Sequence, residues 1–421
     1  MWIAGNTGMA RLLLALAVVM VASTAGAEPV RVTLADAMRR AERHAPTLGP
    51  KRAAVAGARG VRSAADTALA TPPRLEVDVG PRWHGQPKEV GVDASVGLWQ
   101  DLSLGGYGGS RKSYAQALEM EARAQLAVGQ RDAKTQAALA WVDARLAREL
   151  VRIRKESLTD AQEIARIAAA RVRAGSVPPS EQSMAQALVG RAKADMLDAR
   201  GRGFVADADL RTLIGVSAEP VGPLDARDGA LDRTRVLSWV RRGQPDVAAA
   251  EARAVRSARA ADLTEAGGKP FIAIGPQVTR EATGDWLLLG RVSFPLPVVN
   301  PAAVETARAR SEAMMAHAEV KAARALLERD VRLALEEREH SRELRNALRD
   351  GAIAPAREAL RQTKSQYQAG SVDLSAVLAA RRELLLSEER WAEAAADVRR
   401  ADIHLARIVG RDPWQLQGAK Q

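Results

Sequence analysis

The sequence predicts a mainly α chain with a small β part. It reads as two long coiled-coil helical hairpins related by duplication, each accompanied by a β-hairpin. Three observations carry this. Aromatic residues make up only 3% of the chain, while Ala and Arg, both strong helix formers, are abundant. The tetrapeptide Ala174-Gly175-Ser176-Val177 returns as Ala369-Gly370-Ser371-Val372, a shift of 195 residues. Each copy sits between a very long helical pattern and a shorter one. Upstream of each copy lie two short runs in which apolar and polar residues alternate, the period of a strand.

The first 27 residues read as a secretory signal, with Arg11 before an apolar run from Leu12 to Ala22 and Ala25-Gly26-Ala27 as the cleavage site. The run is too short for a membrane-spanning helix. No later segment is an unbroken apolar run of that length, so any membrane crossing falls to strands. The chain has no cysteine, which excludes disulfides and a lipid anchor on an N-terminal Cys. The net charge is +11, but Arg alternates with Glu and Asp along the helices without a long basic block. Such charges are solvated helix faces, and no nucleic-acid partner is expected.

The first structural repeat is placed at 28–222. Thr33 starts its first helix, with Asp36 in the opening turn, and Pro46 ends it. A second helix runs from Leu48 to about Ala70, where Pro72-Pro73 stops it. Strands are expected at about 74–82 and 90–102. In the first, Leu75, Val77 and Val79 alternate with Glu76, Asp78 and Gly80; in the second, Val90, Val92, Ala94, Val96 and Leu98 alternate with Gly91, Asp93, Ser95 and Gly97. After a glycine cluster, a helix from Arg111 to Arg173 would span about 95 Å at the α-helical rise. The turn at 174–177 breaks it, and Pro178-Pro179 opens a return helix to Gly215.

The second repeat is placed at 223–412 and keeps the order. Helices cover Val236 to Arg242 and Asp246 to Ala266, strands about 271–280 and 286–297, and a long helix Ala302 to Gln368 with a kink expected at Pro355. The return helix from Leu374 to Gly410 has the cleanest periodicity: Val377, Leu384, Trp391, Val398 and Leu405 lie seven apart. A row of small residues runs beside them: Ala380, Ser387, Ala394, Ala401, then Ile408. Shifted back by 195, that row reappears as Ala185, Ala192, Ala199, Ala206 and Leu213. A sustained heptad means coiled-coil packing. Residues 413–421 form a tail, expected to be disordered.

Four strands cannot close a barrel, and an open sheet edge cannot face lipid. The alternation suits a barrel with a lipid face and a watery lumen. Three chains would supply twelve strands, which makes a homotrimer with a shared 12-stranded transmembrane barrel the expected assembly.

At these residues the chain resembles the TolC-like outer-membrane efflux proteins. The opening VTLADAMRRAERHAP, the stretch Leu98 to Ala117 with Gln100, Leu102, Gly105-Gly106 and Arg111, and Tyr367-Gln368-Ala369-Gly370-Ser371-Val372 followed by Val377-Leu378-Ala379-Ala380 carry the resemblance. RLEVDVG after Pro72-Pro73 looks closer to the cobalt–zinc–cadmium resistance branch than to the protein-secretion branch. The resemblance implies an outer-membrane exit duct of a tripartite efflux system, with its helical part in the periplasm. It also implies a periplasmic adaptor and an inner-membrane pump of RND type as partners, and small toxic compounds or metal ions as cargo. Carried over, the adaptor-docking tips are Ala174, Gly175, Ser176 and Val177, and Ala369, Gly370, Ser371 and Val372. The family's gate aspartates fall here on Ala376 and Ala379; the nearest acids, Glu181 and Asp373, are the candidate pore constriction, since a ring of acids attracts cations. Both are also first-turn acids of the kind a helix dipole favours.

Two alternatives share much of this pattern, a type I protein-secretion duct and a periplasmic coiled-coil adaptor without a pore. Catalysis finds no support. The five histidines are scattered, no cysteine can act as nucleophile, and no glycine-rich loop links strand to helix for phosphate binding. No cofactor and no dedicated metal site are expected.

Overall fold

The computed structural model describes residues 29–67, 71–83, 90–103, 105–225, 231, 233–240, 244–295 and 302–416. The expected signal at 1–27 lies outside them. In chain order the elements are β1 (Val30–Val32), α1 (Leu34–His44), α2 (Leu48–Ala65), β2 (Arg74–Trp83), β3 (Val90–Ser103), α3 (Tyr107–Arg173) and α4 (Pro179–Ile214). There follow β4 (Ala218–Pro220), α5 (Arg233–Val240), α6 (Pro245–Gly267), β5 (Phe271–Arg280), β6 (Trp286–Ser293) and α7 (Ala303–Leu348). A π-helical turn, Arg349–Ile353, separates α7 from α8 (Ala354–Ala369); α9 (Leu374–Val409) and α10 (Pro413–Leu416) complete the chain.

The described residues divide into two compact units. One takes its residues from Met1–Pro46, Gln130–Arg233 and Val331–Gln421, the other from Thr47–Gly129 and Thr234–Asp330. Each therefore draws on both halves of the sequence.

In the first unit, β1 and β4 form a small parallel sheet, Val30 opposite Ala218 and Val32 opposite Pro220. Three-residue strands are too short to show periodicity, and the sequence gives no sign of them. The indole of Trp141, 2% exposed, donates Nε1 to the carbonyl of Val32 at 2.9 Å, satisfying the polar tip of a buried aromatic. Thr33 caps α1 as predicted: its Oγ1 accepts from the Asp36 amide at 3.2 Å while Asp36 Oδ2 accepts from the Thr33 amide at 3.2 Å. This reciprocal pair is a capping box. The helices pack through alanine. Ala137, Ala138, Ala144, Ala161 and Ala168 of α3 are all at 0% exposure, so backbones approach closely. On α9, Val377, Val398 and Leu405 of one row and Ala394 and Ala401 of the other are buried. On α4, Ala185, Ala192 and Ala199 are buried while Met184, Leu197, Phe204 and Val205 stand more than half exposed. The α4 helix thus keeps an apolar flank that no described residue covers.

Charged side chains brace this unit from within. Arg338 and Asp402, 2% exposed each, meet at 2.5 Å, and Arg399 donates to the carbonyls of Pro223, Leu224 and Asp225. Arg345, at 0% exposure, pairs with Asp225 at 2.5 Å. These bonds pin the segment after β4.

In the second unit, α2 lies on the N-terminal part of α3, where Glu119 receives Arg59, Arg62 and Arg123. These guanidinium groups hold its carboxyl below the usual range, the bond from Arg62 contributing most. Helices α6 and α7 pack through Ala254, Ala316 and Val320.

Several boundaries differ from expectation. Helix α2 stops at Ala65 rather than near Ala70. Helix α3 begins at Tyr107, four residues early, directly after Gly106 at φ +75°. Strand β6 ends at Ser293, ahead of Pro295, which has no N–H for a ladder. The expected kink at Pro355 is a π-turn just before it. Proline cannot donate to the carbonyl four residues back, and a turn with i→i+5 bonding accommodates the gap. The tail, expected to be disordered, has its described residues folded as α10, with Pro413 and Leu416 buried; 417–421 lie outside the described residues.

Candidate functional site: a two-faced sheet and paired hairpin tips

Strands β2, β3, β5 and β6 form one antiparallel sheet in that order. The register puts Val77 opposite Val96, Val96 opposite Val278, and Val278 opposite Leu288. Side chains alternate along each strand, so one face collects Leu75, Val77, Val79 and Trp83 of β2 with Val92, Val96, Leu98 and Leu102 of β3. Ile274 and Val278 of β5 and Trp286, Leu288 and Val292 of β6 continue it. No described residue of the chain covers this face. Leu75 is 70% exposed, Val79 69%, Leu288 76% and Val292 65%. Exposed apolar surface on that scale marks an interaction site. Trp83 and Trp286 occupy the same end, and Arg280 lies 5.8 Å over the Trp286 ring, a placement suited to a membrane interface.

The opposite face is mainly polar, although Leu287 and Leu289 of β6 also lie on it. Ser95 Oγ donates to Asp78 Oδ2 at 3.0 Å, Gln277 Nε2 to Ser95 Oγ at 2.7 Å, and Arg291 Nη1 to Gln277 Oε1 at 2.6 Å. A single row thus crosses all four strands. At one end of the sheet Arg74 pairs with Asp101 at 2.8 Å; at the other, Arg82 meets both Asp93 and Glu281. Trp99 lies on this face under Arg291, 5.3 Å from its guanidinium. Gly275 is required beside it: a Cβ there would fall 1.9 Å from the Leu98 carbonyl oxygen. An apolar face backed by a hydrogen-bonded polar one is the cross-section of a barrel wall between lipid and water. No described helix is long and apolar enough to cross a membrane.

The hairpin tips lie in the other unit. Both turns close alike. Gly175 at φ +69° and Gly370 at φ +82° end their helices in the left-handed region. The next amide bonds back five residues, Ser176 to Arg171 and Ser371 to Gln366, at 3.0 and 2.9 Å. This is the Schellman closure, which glycine favours. Ala174, Gly175 and Ser176 are exposed, as are Ala369, Gly370 and Ser371, while Val177 and Val372 are half-buried.

Behind the turns, both hairpins share a core of Ile164, Ala168, Ala185, Leu360, Tyr367, Leu374 and Val377. Tyr367 is its largest member, at 0% exposure. Its hydroxyl donates to Glu181 Oε2 at 2.8 Å, and the Arg171 guanidinium sits 4.5 Å over its ring. Burial pushes the Tyr367 hydroxyl up to about 12, with the Glu181 carboxylate adding to the shift. Higher on the same flank, Lys364 bonds Asp160 at 3.1 Å and also Glu163.

Of the two acids singled out from the sequence, Glu181 is thus tied to the second hairpin. Asp373 is the exposed N-cap of α9 and makes no side-chain bond to its helix. Tyr367 and Arg171 are the residues sequence reasoning missed as a pair. The only trace was a large aromatic three residues before a helix-ending glycine, in a chain with three tyrosines. Among the described residues no group of three or more His, Cys, Asp or Glu is placed to hold a metal ion.

No family model matches the chain. The cobalt-zinc-cadmium resistance protein CzcC of Cupriavidus metallidurans is 25% identical over 316 residues, covering 74% of this chain and 75% of that protein. The outer-membrane channel OprN superposes with a TM-score of 0.75 at 19% identity, over 90% of each chain. The outer membrane protein VceC of Vibrio cholerae superposes at 0.73 and 16% identity, over 90% of this chain and 96% of that one.

Proposed function

We propose that this chain, which has the TolC-like outer-membrane channel fold, is the exit duct of a tripartite efflux system. The observation that carries the reading is the two-faced sheet with open edges. One chain presents a lipid-type face and a water-type face but cannot close on itself, so copies must join. Four strands per chain fit a homotrimer with twelve. The duct carries small toxic compounds or metal ions through the outer membrane, and divalent metal ions are the favoured cargo because a cobalt-zinc-cadmium resistance protein is similar over most of its length. A periplasmic adaptor and an inner-membrane pump of RND type are its partners.

The two repeats, 28–222 and 223–412, then each supply one hairpin. The turns Ala174–Val177 and Ala369–Val372 are the docking points for the adaptor. Their support is exposure, small side chains and identical backbone closure, which lets a partner's backbone come close. Glu181 and Asp373 are the constriction: three copies of each near an axis would draw cations.

Purified protein added to a planar bilayer should give long-lived, cation-preferring conductance. A deletion strain should lose resistance to at least one divalent metal and regain it from a plasmid copy. Purified oligomer that yields no conductance would end the duct reading. Unaltered metal resistance combined with a new sensitivity to organic toxicants would move the cargo to drugs.

A further inference from the structure

We propose that Arg291 on β6 of one copy forms an ion pair with Asp78 on β2 of the next, and that this pair sets the register of the seam between copies. The inference rests on the reading above that several copies share one barrel. It adds which residues meet where they join.

Strands β2 and β6 are the two edges of the sheet. Successive strands are antiparallel, so β6 of one copy can receive β2 of the next in the same sense. The polar row supplies the rest. It runs from a cation on one edge to an anion on the other, Arg291 to Gln277 to Ser95 to Asp78, and each of the three bonds is donated in that direction, with Asp78 the final acceptor. Arg291 and Asp78 are both exposed. A guanidinium has five N–H donors and a carboxylate about four acceptor sites, so each has capacity beyond the bonds inside its own chain. Placed edge to edge, the copies turn four-residue rows into one continuous belt around the lumen.

The row also predicts the register. Ser95 faces Thr279 in the ladder, but its side chain bonds Gln277, two residues nearer the Phe271 end. Gln277 faces Leu289, yet Arg291, two residues nearer that same end, is its partner. One more step of the same kind sets Gly80 of the next copy opposite Arg291, with Asp78 of that copy on the diagonal. Diagonal neighbours on one face lie about 7–8 Å apart, within reach of a long side chain. Slipping by one residue would turn Arg291 toward lipid. Glu76, two residues further along β2, is the competing anion.

The test uses the full-length protein in outer-membrane extracts. Asp78→Arg and Arg291→Asp should each lower the unheated gel-stable oligomer about tenfold through like-charge contact at the seam. The double charge swap should restore it to within about twofold, the coupling a direct pair demands. A geometric arm guards against variants that do not fold. The chain has no cysteine, and two strands separate position 80 from position 291 within one chain, roughly 14 Å at normal strand spacing. A disulfide needs Cα atoms within about 7 Å, so any Gly80→Cys/Arg291→Cys bond links two copies. A non-reducing ladder of linked dimers and trimers supports the seam. An intact oligomer that gives no link, or that links better when the Cys on β2 is moved to position 76 or 82, overturns it. So does a charge swap that rescues with Glu76→Arg in place of Asp78→Arg. A wild-type protein that is monomeric in detergent would instead sink the shared barrel itself.

Discussion

Replacing Tyr367 by phenylalanine removes one hydroxyl and keeps the ring that fills the tip core. The lost bond is the 2.8 Å contact to Glu181, which ties α8 of the second hairpin to α4 of the first. A hydrogen bond to a charged group contributes about 1.5–3 kcal/mol. Glu181 is only half-buried, so water partly replaces the hydroxyl, and about 1 kcal/mol per copy is the reasonable loss. In the proposed duct, parting the hairpins to widen it would break this tie. If three copies open together, as the proposed trimer requires, the equilibrium would shift by about 3 kcal/mol, on the order of a hundredfold. The Arg171 contact to the ring survives in the variant. The assay is open probability in planar bilayers, paired with sensitivity of intact cells to large antibiotics. Glu181→Gln keeps an acceptor and should open less than Tyr367→Phe. If Tyr367→Phe matches wild type in both readouts while Arg171→Ala alone opens the channel, the cation over the ring holds the tip and the hydroxyl argument fails.

Other outcomes follow from the same geometry. The tie also sets a pH dependence. The folded-state value of Tyr367, about 12, exceeds its ordinary 10.0, so its contribution is complete below pH 10 and is lost as pH climbs through about 12; opening between those values should vanish in Tyr367→Phe. Gly370→Ala forces a side chain into φ +82° and should cost about 1–2 kcal/mol, read as a lower thermal midpoint in detergent. Asp402→Ala takes a buried carboxylate from the buried Arg338 and should cost about 3–5 kcal/mol, whereas Arg338→Met with Asp402→Leu should stay near wild type; chemical denaturation separates them. Val77→Arg places a charge on the apolar face at a cost of about 2–4 kcal/mol near the bilayer midplane and should abolish heat-modifiable outer-membrane protein. Thr279→Arg on the polar face should not.

The strands were legible because a period of two survives in ten residues: Leu75, Val77 and Val79 on one side, Glu76 and Asp78 on the other. The turns were legible because a left-handed residue calls for glycine, and Gly175 and Gly370 stand where the helical patterns stop. Long-range pairing was not. Glu181 and Tyr367 are 186 residues apart, and each alone looks like an ordinary first-turn acid and an ordinary core aromatic. The Asp78 to Arg291 row was hidden for the same reason. Its members sit at polar positions of four separate strands, and only the register makes them neighbours. The small β1–β4 sheet lacked the length to register as a pattern.

The π-turn at Arg349–Ile353 works as a phase step. Upstream, Val331, Arg338 and Arg345 are buried at intervals of seven; downstream, Leu360 and Tyr367 are buried at the same interval. Between Arg345 and Leu360 the count is fifteen rather than fourteen. One surplus residue would turn every later side chain by about 100° around an α-helix. The wider turn absorbs that residue, so the buried stripe resumes in line and delivers the Tyr367 ring to the tip. Removing Gly351 would bring the count to fourteen and leave a smoother α-helix with the same stripe facing inward, so the first hairpin would keep its hold on the second; one further residue inserted there, with no second wide turn to absorb it, would swing the Tyr367 ring away.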